Sequence, residues 1–225
     1  MTVSLTSLKQ SLHAGLTAVA QGADPALIYH SNAQLWASHP FNQLQGLEAI
    51  RRVWSQLRYA LPDMQRRDQI FVAGNSKADA RMPDDLEGRV LVASMGHYQG
   101  SFVNDLCGIP ATHGVVNLRV CEVHHLVEGK IAQSYVMLDL LDLMGQAGCW
   151  PIAPSLGAEG MWSGPATNDG VRLHTSDPSG GQTAFDTVIA MHIALGSFDG
   201  KSLDSMQHGA YWADNFLWYG PSGIG

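Results

Sequence analysis

Leu5, Leu8, Leu12, Leu16 and Val19 recur at three- and four-residue steps, so one apolar stripe runs along a predicted helix over residues 1–22. Gly22 supplies its stop, and Asp24-Pro25 supplies the cap and first turn of a second helix that carries Leu27, Ile28 and Leu35 towards Trp36. The stretch SHPFNQLQG then breaks the pattern at Pro40 and Gly46. A third helix, about residues 47–60, gathers Leu47, Ile50, Val53, Trp54 and Leu57 on one side, and Pro62-Asp63 ends it.

Beyond residue 66 the period changes. RDQIFVAG, GRVLVASMGHYQGSF, HGVVNLRVCEVHHLVEG and KIAQSYVMLDLL are rich in β-branched and aromatic residues and are bounded by Gly, Pro and Asp, which predicts four strands. Pro83, Asp84, Asp85, Glu87 and Gly88 make a polar turn between the first two, and Glu128-Gly129 sits at hairpin spacing between the last two. The last strand runs into a short helix, LLDLMGQAG, closed by Gly148. Helices followed by strands predict an α+β domain whose helices cover one face of an antiparallel sheet.

Residues 149–182 lose any sustained period and are dense in Gly, Pro, Ser and Asp, so they read as a linker; Trp150, Ile152, Met161 and Trp162 would pack it along a domain surface. TAFDTVIAMHIALGSFDGKSLDSMQHGAYWADNFLWYG then predicts two further helices separated at Asp199-Gly200. An internal comparison pairs ALIYHSNAQLWASHPFNQLQG with HGAYWADNFLWYGPSGIG: each has a helix, an aromatic-rich end, a Pro turn and a Gly. The expected organisation is an N-terminal helix (1–22), a main domain (23–148), a linker (149–182) and the helical start of an incomplete second copy (183–225).

Composition narrows the functions. With 45% hydrophobic and 15% charged residues there is ample material for a core, and a net charge of −7 disfavours nucleic acid or an anionic membrane as partner. The N-terminal segment lacks a cationic start and is interrupted by Lys9, Gln10 and His13, so it is neither signal peptide nor membrane span. Cys107, Cys121 and Cys149 have no metal-ligand spacing and leave one thiol over in any disulfide scheme, which points to the reducing cytoplasm. RVLVASM and VVNLRVCEV are apolar on both sides, so a sheet face is left for a partner, and a homodimer is expected.

GHYQGSF (96–102), GIPATHG (108–114) and VEGKIAQSYVMLDLLDLMGQAG (127–148), with WASHPFNQLQG (36–46), resemble the SnoaL-like polyketide cyclases and ester cyclases of the NTF2-like superfamily. The resemblance covers about residues 24–148. It implies a curved antiparallel sheet wrapped around helices as a cone with an internal pocket, and tandem-domain members would account for FLWYGPSGIG as the opening of a second copy. Two departures alter the expected lining: Tyr135 stands where the family commonly has Trp, and His113 where a Gly is usual.

Alternation places Tyr135, Met137 and Asp139 on one face of the last strand. A carboxylate among Val, Met and Leu is desolvated and suited to proton transfer; the same Asp139 also suits the N-cap of the helix that follows. By resemblance Asp139 is the acid/base residue. His124 and His125 point to opposite faces, so at most one faces a pocket; the resemblance selects His125, and His97 in GHYQG is the second candidate. Trp36, His39, Tyr98, Tyr135 and Met137 are the expected substrate-binding residues, rimming or walling a pocket for a small apolar or aromatic carbonyl compound. No metal cluster, nucleotide loop or nucleophile elbow is present in the sequence, so no cofactor is expected. The implied activity is cofactor-free acid/base chemistry: aldol cyclisation, isomerisation or dehydration. The alternative is a non-catalytic ligand-binding or dimerisation module.

Overall fold

The leucine stripe folds as α1 (Leu5–Ala20), capped by the Ser4 hydroxyl accepting from the Ser7 N–H, with Leu12, Leu16 and Val19 buried. The computed structural model describes residues 4–77, 87–154, 163–175 and 178–222. After α1 come β1 (Tyr29–Ala37), β2 (Gln43–Gln45), α2 (Leu47–Ala60), β3 (Gln65–Asn75), β4 (Val90–Ser101), β5 (Val115–Val127), β6 (Lys130–Leu138), α3 (Leu140–Gln146) and α4 (Pro178–Leu195). Helix α2 buries Ile50, Val53, Trp54 and Leu57, the face its periodicity predicts.

The strands form one six-stranded sheet in the order β2-β1-β6-β5-β4-β3. The α+β cone is therefore present, with one change: β1 runs parallel to β6, while the other pairs are antiparallel. Register shifts at Asp68/Ile70, His125/Leu126 and Tyr29/Gln34 break the ladders, and such irregularities bend a sheet around what it covers. The β5–β6 hairpin turns on Glu128 and Gly129, both at positive φ (48° and 79°), as the Glu-Gly spacing predicts.

Parity separates the two faces. Val116, Leu118, Val120 and Leu126 of β5, with Ile131 and Leu138 of β6, point inward and join Leu16, Ile50, Leu57 and Phe71 in the core. Arg119, Cys121, Val123 and His125 take the opposite parity on β5 and point outward.

Two predicted helices are corrected. The segment after Asp24 makes a single 3-10 turn (Pro25–Leu27) and then becomes β1. Tyr29, Ala33 and Leu35 are its buried positions, and pairing to both β2 and β6 satisfies a backbone that His30, Ser31 and Asn32 would support poorly as helix. Among the described residues after Asp199-Gly200 there are short 3-10 turns in place of a helix: Leu203–Met206, started by the Ser202 side chain and ended by Gln207 in the left-handed region, and His208–Ala210. The Pro83–Asp85 turn, Met161, Trp162 and the last three residues lie outside the described residues.

The chain divides into two units, Met1–Leu173 with Tyr219–Gly225, and His174–Trp218. Within the first, Val171 bridges Phe71 at the β3 edge, and Phe71 exchanges hydrogen bonds with the Gly170 carbonyl (2.8 Å) and the Arg172 N–H (2.9 Å). Ser222 of the tail is buried in the same unit. The second unit holds α4 and the two 3-10 turns. No described helix is long and apolar enough to cross a membrane.

Candidate active site

The inward face carries a charged cluster in the middle of an apolar wall. Glu122 follows Val120 in the β5 alternation and is 2% exposed. Its Oε1 accepts from the Tyr98 hydroxyl at 2.7 Å, and its Oε2 accepts from Ser94 Oγ at 2.8 Å and pairs with Arg66 Nη2 at 2.6 Å. Arg66 reaches it from β3, where it also donates through Nε to Asp68 Oδ2 (2.9 Å). Its Nη2 lies 2.8 Å from Asp68 Oδ1. Asp68 in turn meets His13 Nε2 of α1 at 3.2 Å. The register explains the convergence: Arg66 opposes Tyr98 across β3–β4, and Ser94 opposes Glu122 across β4–β5.

His124, two residues along the same face, is fully buried. Its Nδ1 lies 2.8 Å from Ser134 Oγ on β6, while its Nε2 has no hydrogen-bond partner and stands 3.6 Å from Glu122 Oε2. Tyr29 lies in the same buried cluster.

These surroundings fix the charge states. Burial alone would raise the Glu122 carboxyl, but the Arg66 charge outweighs it and holds Glu122 well below the usual range. Burial and then the Glu122 charge push the Tyr98 phenol well above its ordinary value. The Tyr29 phenol is raised for the same two reasons in the same order. The interior thus holds a fixed carboxylate, two phenols that stay protonated, and an imidazole with one ring nitrogen unengaged.

The predicted site residues fall elsewhere, with one exception. Tyr98 is interior, 1% exposed and edge-on to Trp54 at 5.8 Å. Trp36, Tyr135 and Met137 lie together on the outward face. Trp36 stacks on Tyr135 (4.9 Å between centroids, 10° between planes), and the three line a groove of about 480 Å³ with Ala93, Cys121 and Val123. Burial first, then Glu122 and Asp139, pushes the Cys121 thiol up to about 11.

Asp139 also lies on the outward side, at the end of β6, and is buried. Its Oδ1 accepts the Asp142 N–H (3.0 Å), making it the N-cap of α3. Its Oδ2 accepts the Ser222 N–H (2.9 Å) and stands 3.6 Å from Arg119 Nη1. Arg119 also donates to Ser222 Oγ (3.2 Å) and faces Asp142 at 3.5 Å. His97 opposes Arg119 across β4–β5; burial and then the Arg119 charge bring its pKa down to about 4.

His125 belongs to a separate polar hollow of about 340 Å³ with Asn32, Gln34, Gln45, Arg89 and Gln133, and its pKa is lowered by burial and then by the Arg89 charge. His39 is exposed, in the turn that contains the cis His39–Pro40 bond. Asp139 and His97 therefore meet around Arg119, whereas His125 and His39 are apart from them. Among the described residues no three His, Cys, Asp or Glu side chains converge as metal ligands would.

Arg66 and Glu122 are not singled out by the sequence analysis, which selects His125 over His124. The signal was in the alternation of NLRVCEVHHLV: Leu118, Val120, Glu122, His124 and Leu126 share one parity, and a lone carboxylate in that row has to be paired. The outward row, Arg119, Cys121, Val123 and His125, also mixes apolar and polar residues, so the pattern alone did not say which row the helices cover.

No protein-family model matches the chain, and no curated protein matches it in sequence. Solved structures align with it at low identity. AclR from Streptomyces galilaeus, a proposed hydroxylase, is 15% identical, with a TM-score of 0.49 over 66% of this chain and 86% of its own. IdmH from Streptomyces antibioticus, a proposed polyketide cyclase, is 17% identical, with a TM-score of 0.49 over 62% of this chain and 98% of its own. A proposed SnoaL-like polyketide cyclase from Jannaschia sp. CCS1 is 15% identical, with a TM-score of 0.46 over 68% of this chain and 99% of its own.

Proposed function

We propose that the chain is a small-molecule enzyme that uses cofactor-independent acid–base chemistry on an activated carbonyl compound, with the reacting proton handled by the Glu122–His124 pair inside the cone. The observation that carries this reading is His124 Nε2: it is buried, has no hydrogen-bond partner, and stands 3.6 Å from a carboxylate that Arg66 keeps ionised. An unengaged buried ring nitrogen costs about 1–3 kcal/mol, a cost that a bound substrate relieves. Nearby buried charges add to that cost without a matching gain in stability, a common mark of a functional site.

In the proposed step His124 Nε2 takes a proton α to a carbonyl. The electron pair of the broken C–H bond moves onto the carbonyl oxygen, and the Glu122 carboxylate balances the imidazolium. Tyr29, kept protonated, supplies the hydrogen bond to that oxygen, since the Tyr98 O–H is already donated to Glu122. The enolate then attacks a second carbonyl, is reprotonated at another carbon, or expels a β-hydroxyl, and the His124 imidazolium returns its proton to the new alkoxide, to that carbon, or to the hydroxyl as it leaves as water. A small apolar or aromatic ketone is the substrate class this machinery serves.

The test is hydrogen–deuterium exchange at the activated C–H of 2-tetralone in buffered D2O. The protein should accelerate exchange, and His124→Gln should remove at least about 100-fold of that acceleration while leaving thermal unfolding close to wild type. Undiminished exchange in His124→Gln would sink the assignment.

A second reading keeps the proton at Asp139, because it shares the outward face with the Trp36–Tyr135 groove and lies beside Arg119 and His97. That reading requires the Ser222 N–H to leave Asp139 Oδ2.

A further inference from the structure

Two hollows lie side by side on the outward face, the side of the sheet opposite the acid–base cluster. The larger, about 480 Å³, is walled by Trp36, Tyr135, Met137 and Val123. The smaller, about 340 Å³, is lined by Gln34, Gln133, His125 and Arg89, with Asn32 and Gln45 at its rim. They share strands β1, β5 and β6, and their lining residues are two positions apart on each: Trp36 and Gln34, Tyr135 and Gln133, Val123 and His125. Two residues along a strand is about 6.6 Å, so the hollows adjoin as one trough with an apolar and a polar end.

The apolar end is shaped for a flat ring. Trp36 and Tyr135 stack with only 10° between their planes, and Tyr135 remains 52% exposed. The polar end is a transverse row set by the register: Gln45, Gln34, Gln133 and His125 oppose one another on successive strands. Gln133 Nε2 donates to Gln34 Oε1 and its Oε1 accepts from Arg89 Nη1, both at 3.3 Å, so the row is tied together. The described lining contains a guanidinium, an imidazole and four side-chain amides but no carboxylate, in a chain of net charge −7. His125 Nδ1 is buried there without a hydrogen-bond partner.

We propose that this trough binds a small amphiphilic carboxylate, with a planar apolar body laid on Trp36 and Tyr135 and the carboxylate directed to Arg89 and His125. Guanidinium and imidazole are the natural partners of a carboxylate, and the amide row supplies donors of the same reach without a competing negative charge. The site uses the outward face alone and stands whether or not the acid–base reading holds.

The probe is 2-naphthoate, with 2-naphthamide as its neutral isostere and acetate as the carboxylate without a ring, titrated into the full chain and followed by the NMR signals of the His125 ring and Tyr135. Naphthoate should shift both signals and bind at least about 10-fold more tightly than the amide, the discrimination expected of one charge-assisted contact. Arg89→Gln should erase that ratio, and Tyr135→Ala should weaken naphthoate and naphthamide alike while leaving the fold intact. Bound carboxylate should also favour His125 protonation, so naphthoate should raise the His125 titration midpoint.

Equal affinity for naphthoate and naphthamide would overturn the proposal. So would an acetate shift at His125 matching that of naphthoate with Tyr135 unmoved, which would mean an adventitious ion only. A protein that sediments as a dimer with Tyr135 protected and takes up no naphthoate would give the face to a second copy instead.

Discussion

Replacing Glu122 by Gln removes one charge from the buried cluster while preserving its shape. Breaking a buried ion pair costs about 3–5 kcal/mol when the remaining charge has no other partner. Here Arg66 keeps Asp68 at 2.8 and 2.9 Å, so the loss should sit at or below the bottom of that range, about 2–3 kcal/mol, including the weaker bonds that Tyr98 and Ser94 then make. Asp68→Asn should cost a similar amount for the reciprocal reason. The double variant leaves Arg66, 1% exposed at its side chain, without either carboxylate, so its loss should exceed the sum of the singles by at least about 1 kcal/mol. Denaturant unfolding of the four proteins at pH 7 measures this directly. The depressed Glu122 carboxyl adds a pH signature. Its stabilisation is present above the unfolded value of 4.5 and is lost as pH falls through the lower folded value, so Glu122→Gln should flatten the stability curve below pH 4.5. Additive single effects under about 0.5 kcal/mol would refute the reasoning, because they would mean that water solvates these charges.

Three further outcomes follow from the geometry. His97 is neutral in both states above 6.5; below it the unfolded chain takes up the proton first, so stability should fall by roughly 2–3 kcal/mol between pH 6.5 and about 4, and His97→Gln should abolish that slope in pH-dependent melting. A Cβ at Gly96 would lie 2.1 Å from the Arg67 carbonyl oxygen, so Gly96→Ala should force β3 and β4 apart at roughly 2–4 kcal/mol, read as a lowered unfolding midpoint. Asp139→Ala removes the α3 cap, the Ser222 acceptor and one partner of Arg119, for about 2–4 kcal/mol and faster exchange of the Ser222 amide. Asp139→Asn should retain the cap, because its side-chain oxygen still accepts the Asp142 N–H.

The three-residue steps of α1 and α2 and the two-residue alternation of β3 to β6 were legible because apolar residues recur at the period of each element. Segment 29–37 misled because Leu27, Ile28 and Leu35 fit a helical spacing, whereas its strand state depends on β6, about a hundred residues away, which no local pattern encodes. The shared face of Tyr135, Met137 and Asp139 was also legible, from parity. Their orientation was not: both rows of β5 mix apolar and polar residues, and only the packing of α1, α2 and α3 decides which is interior. For the same reason His124, rather than His125, faces the helices. The contact of Ser222 with Asp139 joins positions 83 residues apart and leaves no trace in composition or spacing.

Side-by-side exchange kinetics distinguish an interior proton acceptor from an outward one. Wild type, His124→Gln and Asp139→Asn are compared for deuterium incorporation into 2-tetralone at matched folded concentration. With an interior active site, His124→Gln should lose the acceleration while Asp139→Asn keeps most of it. The reverse result, exchange lost with Asp139→Asn and retained with His124→Gln, would contradict an interior active site and move the chemistry to the outward face.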